Sequence, residues 1–527
     1  MEPQLIKLVI SLVLLLLSIH CNEAARILAF FPSPTKSHFL IHAAVAKTLA
    51  EDGHEVTVLA TTPNAYKQAK YKFIHIDNPD MYDEEFHKSL VEEQEPAYKR
   101  FHKLMENIVH HTNGTLAHPT LREFLRTHKA GDFDVMLYGY FMNDAGLAVA
   151  AHFRCPVIIS FMIQTIYPLN RILGNPSEFS YVPTLFSGFQ QPMSFPQRVL
   201  NFLATMLEQN VWSPWLYRQL KEVYSYNFPA DRYPPLEEVY KNVSMVFTNH
   251  HFSQGPIRPN VPALIEIGGI QIKEQPDPLP QDLASILDAA TEGVIYFSFG
   301  SSIQGSHISQ EKAKIIFKVL SKLPQKVLMK WSDADKTDVV GENIIIRQWL
   351  PQDDVLAHPN VKLFITHGGQ GSVVESQYHG VPMVGIPFFG DQHSNMANVE
   401  NSGFGLSLEY TALMEENFEN VLLKVLNNPK YRENVQTFSK LYRDRPMSPR
   451  QLVRYWVNYV VRHNGAQNMQ SPAAHMSWWE IFSLDVIGLL LVVVLAVVRL
   501  LVGLCRILCC RRKTGSSRAV NKEKKNK

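Results

Sequence analysis

The residues best suited to chemistry are concentrated in positions 364–392, which read FITHGGQGSVVESQYHGVPMVGIPFFGDQ. The glycines let the backbone turn tightly after a short apolar strand and approach a ligand closely. A helix that begins near Gly371 or Ser372 points its free N–H groups into that turn, where they favour phosphate. His367 and Ser372 can donate hydrogen bonds to the same oxygens. The pattern therefore predicts a turn that holds a diphosphate.

Carboxylates follow the predicted phosphate turn at two places. Glu375 lies three residues after Ser372 on the same helix face, about 4.5 Å further along the axis, and suits the paired hydroxyls of a ribose. Asp391 and Gln392 follow a second strand at the sheet edge where open α/β sheets bind ligands, and both can bond sugar hydroxyls. Each piece alone has an ordinary explanation as a turn, a helix-dipole contact or a cap. The combined spacing favours a nucleotide-sugar site.

This order of residues resembles the donor-binding motif of the UDP-glycosyltransferase family, in which Thr-His-Gly-Gly is followed by Ser or Gly, Glu, two prolines and Asp-Gln. The resemblance extends over nearly the whole chain and is strongest to membrane-bound arthropod members. It implies an α/β fold of glycosyltransferase-B architecture, with two Rossmann-like domains facing a cleft. It also implies a UDP-sugar co-substrate, no metal ion and no cofactor. Gly369 and Gly371 belong to the implied donor site, although many relatives have an asparagine where this chain has Gly371.

Two upstream segments extend the implied donor site. The segment Trp349-Leu350-Pro351-Gln352 resembles the family segment in which the Trp stacks on uracil and the Gln reaches the nucleoside. An indole has the flat apolar face that such stacking needs, and a core or rim aromatic is the alternative for Trp349. Residues 294–301 read as a strand ending in a Gly-Ser turn, and the resemblance puts Ser301 beside the donor phosphates. This half lacks the GxGxxG dinucleotide fingerprint.

A candidate general base lies near the start of the chain. Residues 26–31 read as a strand, 39–51 as an amphipathic helix and 56–60 as a second strand, a βαβ opening that predicts a parallel sheet. His38 then lies at the helix N-terminus, at the carboxyl edge of that sheet. Sugar transfer to a hydroxyl requires removal of its proton, which a histidine near neutral pKa can accept. The resemblance gives His38 this role.

The acidic partner of that base is missing from its expected place. Vertebrate relatives have an aspartate where this chain has Gly139, and the next residue, sometimes acidic in arthropod relatives, is Tyr140. Such a carboxylate would orient the imidazole and stabilise its charged form. Asp144, about one turn later, is the candidate substitute, and a helix-capping or surface aspartate is the alternative.

Length and composition predict two large domains with membrane appendages. The chain has 527 residues and a net charge of +2, without a concentrated basic face in its body, so nucleic acid is not an expected partner. Residues 1–24 read as a secretory signal peptide, with an uncleaved anchor as the alternative. Residues 483–505 read as a membrane span, interrupted by Arg499, and the basic tail 506–527 is expected in the cytosol. This predicts a single-pass type I protein with its catalytic domains in the lumen.

The tail and the sequons refine that prediction. Lys524 and Lys525 form a dilysine pattern typical of endoplasmic-reticulum membrane proteins, and a charged tail without that role is the alternative. Asn113 and Asn242 each begin a luminal glycosylation sequon. Cys155 is the one cysteine expected in the lumen, so no intrachain disulfide is expected there.

Between the motifs, composition suggests the domain boundaries. The acceptor-binding domain is predicted at 25–272, where an aromatic-rich stretch suits either an apolar acceptor cleft near the membrane surface or ordinary core. A proline-rich stretch, 273–282, is the expected linker, and 283–445 is the expected donor-binding domain. Residues 446–480 are expected to hold a returning amphipathic helix and a juxtamembrane segment.

The resulting hypothesis is inverting transfer of a hexosyl group from a UDP-sugar to small lipophilic acceptors, in a detoxification or conjugation role. UDP-glucose is the favoured donor and UDP-glucuronate the second. One alternative is a membrane-bound carrier of UDP-sugar or lipophile that lacks turnover. A weaker one is a metal-dependent transferase that uses Asp333 and Asp335, although a surface loop is the expected role of that pair. A homo-oligomer stays open.

Overall fold

The structure is a computed structural model whose chain divides into two compact units between Gln470 and Ser471. Its description covers residues 24–33, 35–78, 91, 97–185, 187–301, 303–331 and 341–523, with side chains to Ile507. The predicted signal peptide (all but its last residue), the pair Asp333 and Asp335, and the dilysine pattern lie outside these ranges. The larger unit holds two parallel sheets, each covered by helices, which are the two Rossmann-like halves expected of the glycosyltransferase-B architecture.

The first half is built on a seven-stranded parallel sheet of order β3-β2-β1-β4-β5-β6-β7. Its central strands are almost continuously apolar and buried, as expected where helices cover both faces of a sheet. Its strands are β1 (Arg26–Phe31), β2 (Glu55–Ala60), β3 (Lys72–His75), β4 (Val135–Gly139), β5 (Val157–Phe161), β6 (Val243–Thr248) and β7 (Leu264–Glu266). Its helices are α1 (Lys36–Glu51), α2 (Ala97–Ala117), α3 (Pro119–Thr127), α4 (Ala148–Phe153), α5 (Tyr167–Leu173), α6 (Phe195–Leu207), α7 (Ser213–Asn227) and α8 (Leu236–Val239).

The second half is built on a six-stranded parallel sheet of order β10-β9-β8-β11-β12-β13. Its strands are β8 (Val294–Ser298), β9 (Lys326–Lys330), β10 (Ile344–Arg347), β11 (Val361–Thr366), β12 (Met383–Gly385) and β13 (Gly405–Ser407). Its helices are α9 (Gln281–Asp288), α10 (Gln310–Ser321), α11 (Gln352–Leu356), α12 (Gln370–His379), α13 (Gln392–Asn401), α14 (Glu415–Asn427) and α15 (Pro429–Arg443). The carboxyl ends of β8 and β11 lead into the loops of the candidate donor site.

A long helix returns from the second half to the first. This helix, α16 (Pro449–Arg462), begins with a capping box at Ser448 and buries Val453, Val457 and Val460 in the core of the first half. Arg454 lies 3.4 Å from Asp52, which follows α1. The helix therefore holds the two halves together beside the element that carries His38.

The aromatic-rich stretch of the first half forms α5 to α7 and leaves much apolar surface exposed. Helix α6 exposes Phe195, Leu200 and Leu203, each by more than half. Such a patch is larger than isolated surface apolar residues produce. Cys155, by contrast, is buried and unpaired.

The smaller unit contains a short helix, α17 (Trp478–Ile481), and a long one, α18 (Leu484–Glu523). Within α18, the segment Leu484–Ile507 is long and apolar enough to cross a membrane. It begins one residue later and ends two residues later than the predicted span, and it includes Arg499.

Candidate active site

His38 is the third residue of α1, directly beyond the carboxyl end of β1. Its backbone N–H donates to the side chain of the N-cap residue Thr35 at 3.4 Å, which fixes where the helix starts. Its ring centroid lies 4.9 Å from that of Phe141. Its Nδ1 is buried without a hydrogen-bond partner among the described residues, whereas Nε2 is not a buried unpaired atom, so we expect Nε2 to be the nitrogen that meets the acceptor. Burial lowers the pKa of His38 to about 4, which keeps the ring neutral and able to accept a proton.

A second histidine lies where the family resemblance implies an aspartate. A Cβ at Gly139 would lie 3.0 Å from Cδ2 of His42 and 3.0 Å from the ring of Phe31. His42 lies one turn after His38 and has Nδ1 at 2.8 Å from Ser160 Oγ. Burial and the neighbouring His38 lower its pKa to about 3. The sequence analysis missed His42, although its spacing of four residues from His38 puts both on one helix face.

Asp144 does not replace the missing acid in this structure. It begins a short 3₁₀ turn, is buried, and accepts a hydrogen bond from the Tyr240 hydroxyl at 2.8 Å. Burial raises the pKa of its carboxyl. Oδ2 of Asp144 is bonded to Tyr240, and both its Oδ1 and Nδ1 of His38 lack partners within the described ranges, so the expected contact between Asp144 and His38 is not formed.

The predicted phosphate turn is built around the ring of His367. Helix α12 begins at Gln370 with Gly369 as its N-cap, slightly earlier than the sequence suggested. A Cβ at Gly369 would lie 2.4 Å from His367 Nε2, and one at Gly300 would lie 2.6 Å from its Cε1. The two glycines therefore leave room for the imidazole between two strand ends. Burial and the neighbouring Lys330 lower the pKa of His367 to about 4.

Two unsatisfied donors face this turn. The Ser301 hydroxyl and Nδ1 of His367 are buried without hydrogen-bond partners among the described residues. Buried polar groups are normally paired, so both are suited to a ligand. At Gly371, where the resemblance implies an asparagine, a Cβ would meet nothing within 4 Å. Ser372 is buried beside it in the first turn of α12.

The predicted ribose end forms one hydrogen-bonded group. Gln352 Nε2 donates to Glu375 Oε2 at 2.5 Å and lies 3.2 Å from Ser372 Oγ, and the Tyr296 hydroxyl donates to Gln352 Oε1 at 3.2 Å. Burial, reinforced by the charge of Asp353, raises the pKa of Glu375 to about 8. A protonated or half-protonated carboxyl can both donate to and accept from a pair of hydroxyls.

Trp349 lies at the open side of this group and is 52% exposed. Two ammonium groups contact its ring: Lys36 Nζ is 3.5 Å and Lys330 Nζ is 4.6 Å from the ring centroid. Lys330 also donates to the Gly300 carbonyl at 2.6 Å. Neither lysine was found by sequence reasoning, because they come from β9 and from the first residue of α1, far from Trp349 in the chain.

At the sugar end, one side-chain atom of Gln392 is already used to hold its own loop by hydrogen bonds. Gln392 is buried, and its Oε1 accepts from the backbone N–H groups of Phe388 and Phe389 at 2.8 and 3.2 Å. Its amide Nε2 is therefore the group left for a sugar, which narrows the expected role. Asp391 accepts from Asn395 Nδ2 at 2.7 Å, and burial raises the pKa of its carboxyl.

A cleft between the halves reaches this sugar end. It encloses about 500 Å³, including open solvent. The first half contributes Gln164, His250 and Gln254, and the second contributes Gln370, Asp391 and Asn395. Gln254 Nε2 donates to Gln377 Oε1 across the cleft at 2.6 Å.

Comparison with known proteins identifies the family. Residues 27–520 match the family described as "UDP-glucoronosyl and UDP-glucosyl transferase". The chain belongs to the UDP-glycosyltransferase family. It is 33% identical over 483 residues to UDP-glycosyltransferase UGT5 of Dactylopius coccus, covering 90% of each chain. It is 36% identical over 380 residues to human UDP-glucuronosyltransferase 1A7, covering 71% of this chain and 70% of the human one.

Solved structures support the fold of this UDP-glycosyltransferase. A UDP-glucosyltransferase from Polygonum tinctorium, described as capable of glucosylating indoxyl, aligns with a TM-score of 0.57 at 17% identity. The alignment covers 84% of this chain and 99% of that one. The glycosyltransferase CalG4 aligns with a TM-score of 0.55 at 18% identity, over 84% of this chain and 99% of that one. The two-sheet architecture is therefore that of known glycosyltransferases.

In this UDP-glycosyltransferase, the two predicted sequons differ in accessibility. Asn113 lies within α2, and its Oδ1 accepts from Asn227 Nδ2 at 2.9 Å, while the sequon residue Thr115 is 1% exposed. Asn242 ends a short 3₁₀ turn and is exposed. Asn242 is therefore the more exposed of the two asparagines, while the third residue of each sequon, Thr115 or Ser244, is buried.

Proposed function

We propose that this UDP-glycosyltransferase transfers a hexosyl group, with inversion, from a UDP-sugar to small lipophilic acceptors in a conjugation or detoxification role. One observation carries the proposal: a neutral histidine, His38, lies at a strand end of one half, and the other half presents unpaired donors and a flat exposed indole. The printed names of the relatives include both glucosyl and glucuronosyl transferases. UDP-glucose is the favoured donor, because the resemblance is strongest to arthropod members, and UDP-glucuronate is second.

The proposed step is a single displacement. The acceptor oxygen forms a bond to the anomeric carbon while its proton passes to Nε2 of His38. The bond from the anomeric carbon to the diphosphate oxygen breaks, and UDP leaves with the electron pair. Attack from the face opposite the leaving group inverts the anomeric centre. The N-terminus of α12, the Ser301 hydroxyl and His367 stabilise the negative charge that develops on the diphosphate.

The remaining donor-site residues position the sugar nucleotide. Trp349 stacks on the uracil ring, and Gln352 and Glu375 bond the nucleoside hydroxyls. Asp391 and the amide of Gln392 bond the hexose hydroxyls. Exact placement of the anomeric carbon near His38 is what converts donor binding into turnover.

The low pKa of His38 has a mechanistic cost. An imidazole with a pKa of about 4 is a weaker base than a free one, and relatives offset this with a carboxylate. Here the neighbouring ring of His42 occupies that space, so the charged form of His38 receives no ionic support from it. We therefore expect the enzyme to favour acidic acceptors such as phenols over aliphatic alcohols.

The proposed compartment is the endoplasmic-reticulum membrane, with the catalytic halves in the lumen. Support comes from the apolar segment Leu484–Ile507, from the exposed Trp478 and Trp479 that precede it, and from the basic residues that follow. Protease treatment of sealed microsomes should leave the luminal chain intact and remove only the tail. Glycosidase treatment should shift the mobility of the wild-type chain but not of an Asn242→Gln variant.

The enzyme proposal is tested with microsomes that contain the full chain. They are given UDP-glucose or UDP-glucuronate with a set of phenols, and released UDP and product are measured. UDP release that depends on an acceptor, lost in a His38→Ala variant, is the expected result. No acceptor-dependent release with any UDP-sugar would show that the proposed activity is wrong.

A second candidate function is a carrier that binds UDP-sugar or a lipophile without turnover. Gly139 and the unpartnered Nδ1 of His38 favour it, because the base lacks its ionic partner. UDP binding without release from any UDP-sugar would support the carrier. Treatment with EDTA addresses the third alternative: loss of activity would favour a metal-dependent transferase using Asp333 and Asp335. Among the described residues, no cluster of three His, Cys, Asp or Glu side chains is placed to hold a metal ion.

A further inference from the structure

Lys36 is a first-half residue whose ammonium group contacts the predicted base-stacking ring. It is the first residue of α1, two residues before His38. Its Nζ lies 3.5 Å from the centroid of Trp349, which belongs to the second half. The contact is a cation–π interaction that crosses from the catalytic half to the donor half.

A second lysine converges on the same ring. Lys330 Nζ lies 4.6 Å from the Trp349 centroid and donates to the Gly300 carbonyl, one residue before Ser301. Burial lowers the pKa of Lys36, and burial together with the charge of Lys36 lowers the pKa of Lys330 to about 8. No carboxylate among the described residues contributes to either shift.

The charge pattern extends to the phosphate turn. Lys330 in turn lowers the pKa of the neutral His367, so the two charged groups that repel each other beside the phosphate turn are the ammonium groups of Lys36 and Lys330. Like charges gathered without a counter-ion disfavour the empty site and favour an anion. An anion of more than one charge, next to a flat ring, matches a nucleoside diphosphate.

Lys36 also covers part of the indole on which a base would stack. A uracil ring on that face of Trp349 displaces the ammonium, which then needs a new partner close by. The second lysine on this ring, Lys330, already donates to the Gly300 carbonyl in the turn that precedes Ser301, so a diphosphate bound at that turn is the partner we expect for Lys36.

We propose that Lys36 is a donor-binding residue that closes the diphosphate site from the acceptor half. When uracil stacks on Trp349, the Lys36 ammonium moves from the indole to the diphosphate and joins Lys330 there. Because Lys36 begins the helix that carries His38, this contact positions the base relative to the donor. The inference rests on the proposed function in one respect, namely that the ligand is a UDP-sugar.

The test compares binding of UDP, UMP and uridine to the full chain in detergent by titration calorimetry. Lys36→Met should weaken UDP binding by about 10- to 100-fold, as expected for loss of a charge-assisted contact, and should weaken UMP binding less. Uridine binding should be unchanged or tighter, because the ring is no longer covered. Lys36→Arg should stay within a few fold of wild type.

A matched control is available on the same helix. Lys47 is another lysine of α1 that contacts an aromatic ring, with Nζ 5.2 Å from the centroid of Tyr66, and Lys47→Met should bind UDP as wild type does. The salt dependence of UDP affinity should be shallower in Lys36→Met than in the control. Equal thermal midpoints for the two variants establish that both are folded.

The outcomes separate this inference from the proposed function. If wild type binds UDP and Lys36→Met binds it equally well, the Lys36 assignment is wrong and the proposed function stands. If wild type binds no UDP, the proposed function falls and the inference falls with it. If the loss is confined to UDP-glucuronate and absent for UDP, Lys36 reads the uronate carboxylate, and the diphosphate assignment is overturned.

Discussion

His38 and His367 each lie beyond the carboxyl end of a central strand, one in each half, and their surroundings suit them to different roles. His38 lies in the first turn of α1, after β1, whereas His367 lies between β11 and Gly369, the N-cap of α12. In each, burial lowers the pKa to about 4 and Nδ1 lacks a partner among the described residues. A half-buried neutral imidazole is therefore what this fold produces at both sites. The difference in function between the two rings must therefore come from the residues that surround each of them.

The neighbours of the two rings differ in kind. His367 is packed between the backbones of Gly300 and Gly369, and its second pKa-lowering cause is the cation Lys330. His38 packs against the ring of Phe141 and lies one turn from the neutral His42. A ring set beside a cation and a helix N-terminus is suited to bind an anion. A ring in aromatic surroundings, with one free nitrogen, is suited to take a proton from an apolar acceptor.

The largest expected effect comes from removing the base. His38→Ala should lower kcat by about 10²–10⁴-fold, because a positioned base contributes about that much. UDP affinity should change little, since His38 lies on the other half from the phosphate turn. Steady-state rates with a phenol and UDP binding by calorimetry check the two parts. His110→Ala, which removes an exposed histidine from α2, should match wild type. Full turnover in His38→Ala would mean that His38 is not the general base and that the proposed difference between the two histidines is wrong.

The next largest effect is expected from Gly369→Ala, which tests the packing around His367. At Gly369, an alanine Cβ would lie 2.4 Å from Nε2 of the ring, so Gly369→Ala must displace the imidazole or the N-cap of α12. We expect UDP affinity to fall by about 10- to 100-fold, as for loss of a charge-assisted contact, with kcat at saturating donor less affected.

The matched variant for that test is two residues further along. Gly371→Ala adds the same methyl group where nothing lies within 4 Å, in a helix that alanine favours over glycine. Its UDP affinity should stay within about threefold of wild type, on the scale of a few tenths of a kcal/mol. Equal losses in the two alanine variants would contradict the steric role assigned to Gly369.

A third test restores the acid of the relatives. Gly139→Asp should not raise kcat, because its Cβ would lie 3.0 Å from His42 and 3.0 Å from Phe31. Overpacking of this kind costs about 1–3 kcal/mol, and burial of an unpaired carboxylate adds to the cost. The thermal midpoint should therefore fall. Adding His42→Ala should recover part of that loss, since it opens the space that a carboxylate needs. A rise in kcat with an unchanged midpoint in the single variant would show that the site tolerates both groups.

Local pattern was enough to predict the elements that carry both histidines. The strand–helix–strand order of residues 26–60 and the glycine turn of residues 364–371 follow from hydrophobic periodicity and glycine chemistry, which are properties of adjacent residues. The family and the two-sheet architecture followed from a long motif, and the comparisons confirmed both.

The missed features depend on distant parts of the chain. His42 fills the place of an absent aspartate only because β4 lies next to β1 in the sheet. The contact of Lys36 with Trp349 joins residues of different halves. The motif predicts Gln392 as a sugar ligand, yet its side-chain carbonyl accepts a hydrogen bond from the backbone of its own loop. A motif shared with a family does not distinguish that structural role from ligand binding. Side-chain contacts across a cleft cannot be read from spacing along the chain.

The last prediction concerns stability rather than turnover and lies at the ribose end of the donor half. Burial raises the pKa of Glu375 to about 8, whereas a glutamate in the unfolded chain has a pKa of about 4.3. Between these values the folded protein binds more protons than the unfolded one, so this group makes stability fall as pH rises, by up to about 1.4 kcal/mol per pH unit. Glu375→Gln removes this contribution. The variant should therefore lose less of its thermal midpoint than wild type between pH 5 and pH 8.

The control for this pH series is Glu311→Gln, which changes an exposed glutamate in the first turn of α10 and should follow wild type. Parallel pH curves for wild type and Glu375→Gln would mean that Glu375 is ionised at neutral pH. A charged carboxylate could only accept from ribose hydroxyls, whereas a protonated one also donates. The same pH series with UDP present distinguishes the ionised from the protonated carboxyl of Glu375. A ligand that favours the ionised form reduces the difference in pH dependence between wild type and Glu375→Gln.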